Sequence, residues 1–157
     1  MPALADIVAG HLLAFKKLEN IYNSLPSSSS PSEFLINVLN GFDISHSIDP
    51  EDLNAIPPSG PTVVIANHPF GGLDGIVLAF IICSVRKDVK ILTDYLLGRI
   101  PELGPLLFMV DPFGGRSSIN KNVMALKEAV CWVRNGGLLM VFPAGGSIPF
   151  PLENKKN

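Results

Sequence analysis

The stretch TVVIANHPFGGLDG, residues 62–75, runs from a short apolar segment through an Asn-His pair and a glycine-rich turn into a second apolar segment. The first segment predicts a buried strand over 62–66, and the second predicts a helix over 73–84. Strand, turn and helix in direct succession are typical of an α/β unit, in which functional side chains gather where strands end and helices begin. The stretch therefore predicts both the fold class and one place for a site.

Strands and helices continue to alternate along the chain. Further strands are predicted over 89–93, 106–110 and 138–142. Before the last of these, apolar residues at steps of four and three predict an amphipathic helix closed by two glycines; they are Ile119, Val123, Leu126, Val130 and Val133. This alternation predicts an α/β fold with a mostly parallel sheet and helices on its faces, although four strands are few for such a fold.

The N-terminal part has a different composition. Apolar residues at helical spacing predict an amphipathic helix over 3–23, which suits either ordinary packing or a membrane surface. The stretch 24–32 is rich in serine and proline and predicts a linker, after which a short helix is expected over 33–40.

The sequence predicts one ordinary domain. The acids and proline of Asp49-Pro50-Glu51-Asp52 are typical of a helix start inside it. We expect an N-terminal helix and linker over 1–32, the domain over 33–148 and an irregular tail over 149–157.

Composition narrows the classes of function. Hydrophobic residues make up 47% of the 157 residues, so the chain has either a dense core or an apolar surface for a partner or bilayer. A net charge of −2 with scattered basic residues argues against nucleic-acid binding. Asp6 near the N-terminus argues against a secretory signal, and no apolar run approaches the roughly 20 residues of a membrane span. Cys83 and Cys131 lie in apolar segments without a CxxC motif and are expected to be buried thiols.

The first strand end carries a candidate base. Asn67-His68 follows the strand, and the turn through Gly71 and Gly72 can fold back so that Asp74 meets the His68 ring. A carboxylate that accepts one imidazole N–H fixes the tautomer and leaves the other nitrogen as a base. By itself this spacing suits a helix-capping aspartate and a satisfied core histidine equally well.

Two more strand ends are followed by Pro/Gly-rich turns. They are RIPELGPLLFMVDPFGGR, residues 99–116, and LLMVFPAGG, residues 138–146. Arg116 offers a guanidinium fork to a phosphate or carboxylate, and backbone N–H groups around Gly145 can face a developing oxyanion. Base, anion clamp and oxyanion donors together fit acyl transfer to a hydroxyl. The plainer alternatives are a solvated charge at Arg116 and a simple strand end at Phe142-Pro143.

At these three boxes the sequence resembles the glycerolipid (lysophospholipid) acyltransferases. It is most similar to a bacterial subset, some of whose members are labelled haemolysins, related to enzymes that acylate lyso-ornithine-type lipids. That subset writes the first box as His-Pro-x-Gly-Gly-x-acid-Gly, and residues 68–75 match it position by position. The likeness extends over about 33–145.

The resemblance implies roles for the residues. His68 would deprotonate the hydroxyl of a lyso-lipid, Asp74 would orient His68, and Arg116 would hold the anionic headgroup. Three further residues would line the acceptor or oxyanion site: Phe142, Pro143 and Gly145. Three others would support the first turn: Asn67, Gly71 and Gly72. No metal and no cofactor are implied; acyl-CoA or acyl carrier protein is the co-substrate. A lipid acceptor places the chain at the cytoplasmic face of a membrane as a peripheral protein.

One departure from the family bears on activity. Gly146 stands where the subset has an acid, and family domains continue for several strands and helices beyond this point. The resemblance thus implies that the C-terminal part is missing, and this form is expected to be poorly soluble and nearly inactive. The rival interpretation is a non-catalytic relic or lipid-binding module of the same fold. An α/β hydrolase is disfavoured because the sequence has no Gly-x-Ser-x-Gly motif.

Overall fold

The structure is a computed structural model that describes residues 19–69, 71–111 and 115–143, with the side chains of 115–117 left aside. Residues 19–24 are helical. The following elements are, in chain order, α1 (Pro31–Gly41), α2 (Pro50–Asn54), β1 (Thr62–Ile65), α3 (Gly72–Val85), β2 (Val89–Asp94), two 3₁₀ helices (Leu97–Arg99 and Pro101–Leu106), β3 (Leu107–Val110), α4 (Gly115–Arg134) and β4 (Leu138–Val141). The strands form one parallel sheet in the order β1-β4-β2-β3. The α/β fold with a parallel sheet is confirmed.

Side-chain caps set where the first two helices begin. The N–H of Glu33 donates to Ser30 Oγ at 3.2 Å, while the Glu33 carboxylate accepts from the N–H of Ser29 at 2.7 Å. This reciprocal pair starts α1 at Pro31, slightly before the predicted position. Asp49 caps α2 by accepting from the N–H of Glu51 at 2.8 Å, which confirms the predicted helix start.

The main core lies on one face of the sheet. Helices α1 and α3 pack together there, above the completely buried Leu138 and Met140 of β4. Helix α4 packs on the sheet at β3 and β4. The small buried side chains of Ala125 and Ala129 let α4 approach the strands closely. Helices on the faces of a parallel sheet are what the alternation of segments predicts.

Two sequence predictions about burial are wrong. Strand β1 was predicted to be buried, but it is an edge strand of the sheet, and Val63 and Ile65 are 49% and 68% exposed. Cys131 is exposed, whereas Cys83 is buried as predicted, and burial raises the pKa of the Cys83 thiol. Both errors arise because an apolar sequence segment does not reveal which of its faces another element covers.

The apolar stripe that predicts α4 does not face the sheet. Its members Ile119, Val123, Leu126 and Val130 are exposed among the described residues, and Ser118, Ala125 and Ala129 are buried instead. The helix itself is present and ends, as predicted, before Gly136, which has a φ of +98° that favours glycine. Periodicity thus predicted the helix correctly and left its orientation open.

An arginine joins the loops at the amino edge of the sheet. Arg86, directly after α3, is 2% exposed and forms a two-point ion pair with Asp88, with Nε–Oδ1 at 2.9 Å and Nη2–Oδ2 at 2.5 Å. Its guanidinium also donates to the turns before β1 and β4, namely to the carbonyl oxygens of Pro57 (3.3 Å), Gly60 (2.9 Å) and Gly136 (2.8 Å) and to Thr62 Oγ (3.1 Å). This contact set fixes the amino ends of three strands relative to one another.

Other sequence predictions lie outside what the structure tests. Most of the predicted helix over 3–23 falls outside the described residues, and the division at 32 and 148 remains a prediction. Within the described parts of the chain, the helices are too short or too polar to cross a membrane.

Candidate active site

Strand order brings the first and third boxes together. Because all strands are parallel, their carboxyl ends share one edge of the sheet, and β1 pairs directly with β4. The pairing continues past β1, since the Ala66 N–H donates to the Val141 carbonyl oxygen at 3.2 Å. The chain then turns away from the sheet at Asn67 and His68, beside the residue that follows β4, Phe142.

Phe142 contacts the His68 ring. The two rings meet edge to face with centroids 5.0 Å apart and an interplanar angle of 68°. Phe142 also lies beside the first turn of α3, where a Cβ atom on Gly75 would come within 3.9 Å of the ring. The Phe142 ring therefore lies between the first turn of α3 and the His68 imidazole, which it contacts on one side. Phe142 is therefore more than the end of a strand, because its ring packs against the ring of the candidate base.

The turn after His68 is closed by the backbone. The N–H of Gly71 donates to the carbonyl oxygen of His68 at 2.9 Å, and Gly71 has a φ of +69° that a side chain would oppose. Gly72 is the first residue of α3 and does not need a positive φ. The two glycines therefore differ: Gly71 shapes the turn, and Gly72 begins the helix.

Asp74 lies in the first turn of α3, where the helix dipole favours a negative charge. It is half-buried, as is His68, and the two residues stand on either side of the tight turn at one sheet edge. Their direct hydrogen bond remains a prediction. The strand end at His68 and the start of α3 lie at the same edge of the sheet.

The second box lies across the sheet from the first. β3 is three strand positions from β1, which corresponds to about 14 Å at the usual strand spacing. Arg116 stands in the first turn of α4, directly beyond the carboxyl edge.

Two residues at the second box are absent from the sequence-based site. Ser118 and Asn122, one turn apart on α4, both hydrogen-bond to Asp111, the residue that follows β3. A polar pair at positions i and i+4 shortly after a strand-ending aspartate was the available signal in the sequence. Asp111 is therefore bound to α4 by two side chains of that helix.

The remaining predicted site residues divide into described and undescribed ones. Asn67 and Pro143 are exposed and flank His68 and Phe142 respectively. Gly145 lies outside the described residues, as does Gly146, so the oxyanion donors stay a prediction. Of the site as predicted, the structure brings together the strand end at His68, the helix start at Asp74 and Phe142.

Comparison with known proteins gives two matches. A sequence model of a family described as "Acyltransferase" matches residues 16–147. The chain is also 27% identical, over 99 residues, to a lyso-glycine lipid O-acyltransferase of Phocaeicola vulgatus. That alignment covers 62% of this chain and 34% of the relative, so the chain matches about a third of the relative's length. No solved structure matches.

Proposed function

The chain belongs to this acyltransferase family, and we propose that it moves a fatty acyl group from acyl-CoA or acyl carrier protein to the hydroxyl of a lysophospholipid or a similar lyso-lipid at a membrane surface. One observation carries the proposal: His68 lies at the carboxyl edge, held against Phe142 beside the turn that leads to Asp74. A base supported on one side and reachable on the other is what deprotonation of an incoming hydroxyl requires.

The proposed reaction needs one base and no metal. An imidazole nitrogen of His68 takes the hydroxyl proton as the lyso-lipid oxygen attacks the thioester carbonyl carbon. The tetrahedral intermediate then collapses, the carbon–sulfur bond breaks, and the thiolate takes the proton from the imidazolium. An ester and a free thiol result. Asp74 accepts the other ring N–H, which fixes the tautomer and stabilises the transient positive charge.

The backbone around Gly145 completes the proposed chemistry. N–H groups that point at the carbonyl oxygen lower the barrier as negative charge develops on it. Phe142 contributes by keeping water away from the reacting thioester, because an apolar ring beside the base leaves one side of the imidazole dry. Exclusion of water matters here since hydrolysis competes with transfer to a lipid hydroxyl.

Arg116 is proposed to hold the acceptor's headgroup. Its place beyond β3, about 14 Å from β1 by strand spacing, suits a group that binds the far end of the acceptor and leaves the reacting atoms to His68. A guanidinium donates two parallel hydrogen bonds to a phosphate or a carboxylate. The similarity to a lyso-glycine lipid O-acyltransferase favours a lyso-lipid as the acceptor class.

Transfer of label tests the proposal directly. The purified chain is mixed with radiolabelled acyl-CoA, or with acyl carrier protein carrying the same acyl group, in the presence and absence of lyso-lipid vesicles. Because little activity is expected of this form, the mixture is incubated long enough to detect slow transfer, and labelled diacyl lipid should form only when lyso-lipid is present. Binding of lyso-lipid without any transfer would instead support the lipid-binding module.

Arg116→Ala tests the headgroup assignment. We expect weaker binding of the acceptor with little change for the donor, because the guanidinium is assigned to the headgroup alone. Arg116→Lys should restore binding only in part, since a point charge cannot replace the two-point fork. Arg134→Ala, which removes an exposed arginine at the other end of α4, is the matched control. Equal losses for lyso-lipid and acyl-CoA would give Arg116 another role.

A further inference from the structure

One side chain of α4 holds the backbone at the end of β3. The Asn122 side-chain oxygen accepts from the Asp111 N–H at 2.7 Å, and its side-chain nitrogen donates to the Asp111 carbonyl oxygen at 2.8 Å. Ser118, which is 5% exposed, donates from its hydroxyl to the Asp111 carboxylate at 2.5 Å. Asp111 is thus bound to α4 through its N–H, its carbonyl oxygen and its side chain.

The Asn122 amide gives Asp111 what a neighbouring strand gives a residue in a sheet. A primary amide carries one acceptor and donors in a plane, so it can satisfy both backbone groups of one residue at once. β3 is the edge strand opposite β1, and the residue that follows it is bound by a helix side chain in place of a further strand. A backbone held at both its N–H and its carbonyl has little freedom to rotate.

This clamp bears on Arg116 through the short connection. Only three residues, 112–114, separate Asp111 from the first residue of α4, Gly115. Arg116 is the second residue of α4, and Ser118 and Asn122 follow on the same helix as its fourth and eighth residues. Tying those residues to Asp111 therefore fixes the start of α4 relative to the carboxyl edge of the sheet.

We propose that Asn122, assisted by Ser118, is a positioning residue for the acceptor site: it fixes the start of α4 and with it the place of Arg116. The proposal rests on the function proposed above, in which Arg116 binds the headgroup. It extends that function because Asn122 and Ser118 would influence acceptor affinity without contacting the acceptor. If Asn122 had a purely structural role, its substitution would lower the stability of the protein and weaken the binding of both substrates equally.

Equilibrium binding of both substrates separates the two roles. Asn122→Ala and Ser118→Ala are compared with wild type and with Asn120→Ala, an exposed asparagine on the same helix. The probes are a short-chain anionic lyso-lipid below its micelle concentration and acyl-CoA. We expect Asn122→Ala to weaken lyso-lipid binding roughly tenfold, because a displaced anion clamp loses its two-point geometry. Acyl-CoA binding should stay unchanged, Ser118→Ala should have a smaller effect, and Asn120→Ala should have none.

A double variant shows whether Asn122 acts through Arg116. If it does, Arg116→Ala combined with Asn122→Ala binds lyso-lipid no more weakly than Arg116→Ala alone. Additive losses overturn the proposal, as do unchanged lyso-lipid binding in Asn122→Ala and equal losses for both substrates.

Amide hydrogen exchange tests the clamp independently of any substrate. The Asp111 N–H should be protected in wild type and exchange faster in Asn122→Ala, while the β2–β3 ladder keeps its protection. Free exchange of the Asp111 N–H in wild type overturns the proposal. Failure of the acyltransferase proposal has a different signature: a wild-type protein that transfers no label while its Asp111 N–H remains protected.

Discussion

The polar groups at the two edges of the sheet differ in burial and in how far the protein itself satisfies their hydrogen bonds. At the amino edge, Arg86 is buried, and all its guanidinium nitrogens donate to Asp88 or to the backbone and hydroxyl of nearby turns. At the carboxyl edge, His68 and Asp74 are half-buried on either side of a turn, and Phe142 supports the imidazole from one side. A charge whose every donor is used inside the protein serves folding. We expect a half-buried imidazole on a loop beyond the strand ends to remain available to a substrate.

The largest effect is expected from His68→Ala. Removing the base should lower the acyl-transfer rate by roughly 10²–10⁴-fold, the usual contribution of general base catalysis. The free energy of unfolding should change little by comparison. Steady-state transfer to lyso-lipid measures the rate, and urea denaturation measures the stability.

His46→Ala is the matched control for that variant. His46 is also in edge-to-face contact with a phenylalanine, Phe80, at 4.8 Å between centroids, but it precedes β1 in the chain, and Phe80 lies in the second half of α3. Its removal should leave the rate unchanged. A His68→Ala protein that turns over as fast as wild type would remove His68 from the mechanism.

Arg86→Met should have the next largest effect, and on stability. The substitution removes the guanidinium donor from the partly buried carbonyl oxygens of Gly60 and Gly136, and a buried acceptor that loses its hydrogen bond costs about 1–3 kcal/mol. The Asp88 carboxylate, whose side chain is 44% exposed, keeps its contact with water. Urea denaturation gives the loss, and Arg134→Met, at an exposed position, should cost little. A fully stable Arg86→Met protein would show that the amino edge does not depend on this contact set.

Gly71→Ala sharpens the comparison at the carboxyl edge. A Cβ atom would meet nothing within 4 Å there, so the cost is the positive φ alone, about 1–3 kcal/mol. Activity should also fall, because an alanine that relaxes the positive φ would shift the turn that the Gly71 N–H closes onto His68. Gly72→Ala is the control, with equally open space and an ordinary φ. Equal effects of the two substitutions on stability would contradict the difference between the glycines.

The smallest effect is expected from Asp88→Asn and depends on pH. Hydrogen bonding to Arg86 holds the pKa of the Asp88 carboxyl below its ordinary value. A lowered folded-state pKa contributes stability above the unfolded value of about 4, and that contribution disappears as pH falls through the folded pKa.

Denaturation at several pH values measures this contribution. Because the Asp88 side chain is 44% exposed, we expect Asp88→Asn to cost about 1 kcal/mol or less at pH 7. The difference from wild type should shrink as the solution is acidified below about pH 4. A difference that stays constant down to strongly acidic pH would show that the ion pair is not its source.

Local sequence patterns were sufficient to predict the strands and helices, but they were insufficient to predict which of these elements lie next to one another. The apolar segments predicted each strand and the helices between them because those patterns depend on residues close in sequence. The insertion of β4 between β1 and β2, which brings Phe142 to His68, depends on pairing between distant segments. The boxes could be predicted, and the pairing that joins two of them could not.

The same limit explains the two structural contact sets that the sequence did not indicate. Arg86 lies in the short polar segment Arg86-Lys87-Asp88 between apolar ones and resembles a solvated turn, because its acceptors at Gly60 and Gly136 are remote in sequence. Asn122 is one polar residue on an amphipathic helix, and only the docking of α4 on β3 reveals its partner. The outward stripe of α4 is hidden for the same reason, since periodicity defines a face without identifying what lies opposite.

The central claim is that the amino edge of the sheet serves stability and the carboxyl edge serves activity. The most direct test measures two quantities in His68→Ala and Arg86→Lys: the acyl-transfer rate per folded molecule and the free energy of unfolding. Lysine keeps a positive charge but loses the fork, so Arg86→Lys should remain folded at lower stability. We predict that His68→Ala loses roughly 10²–10⁴-fold in rate with its stability nearly intact. We predict that Arg86→Lys loses stability while each folded molecule keeps its rate. The reverse pattern, with a full rate in His68→Ala and a lost rate at unchanged stability in Arg86→Lys, would contradict the account.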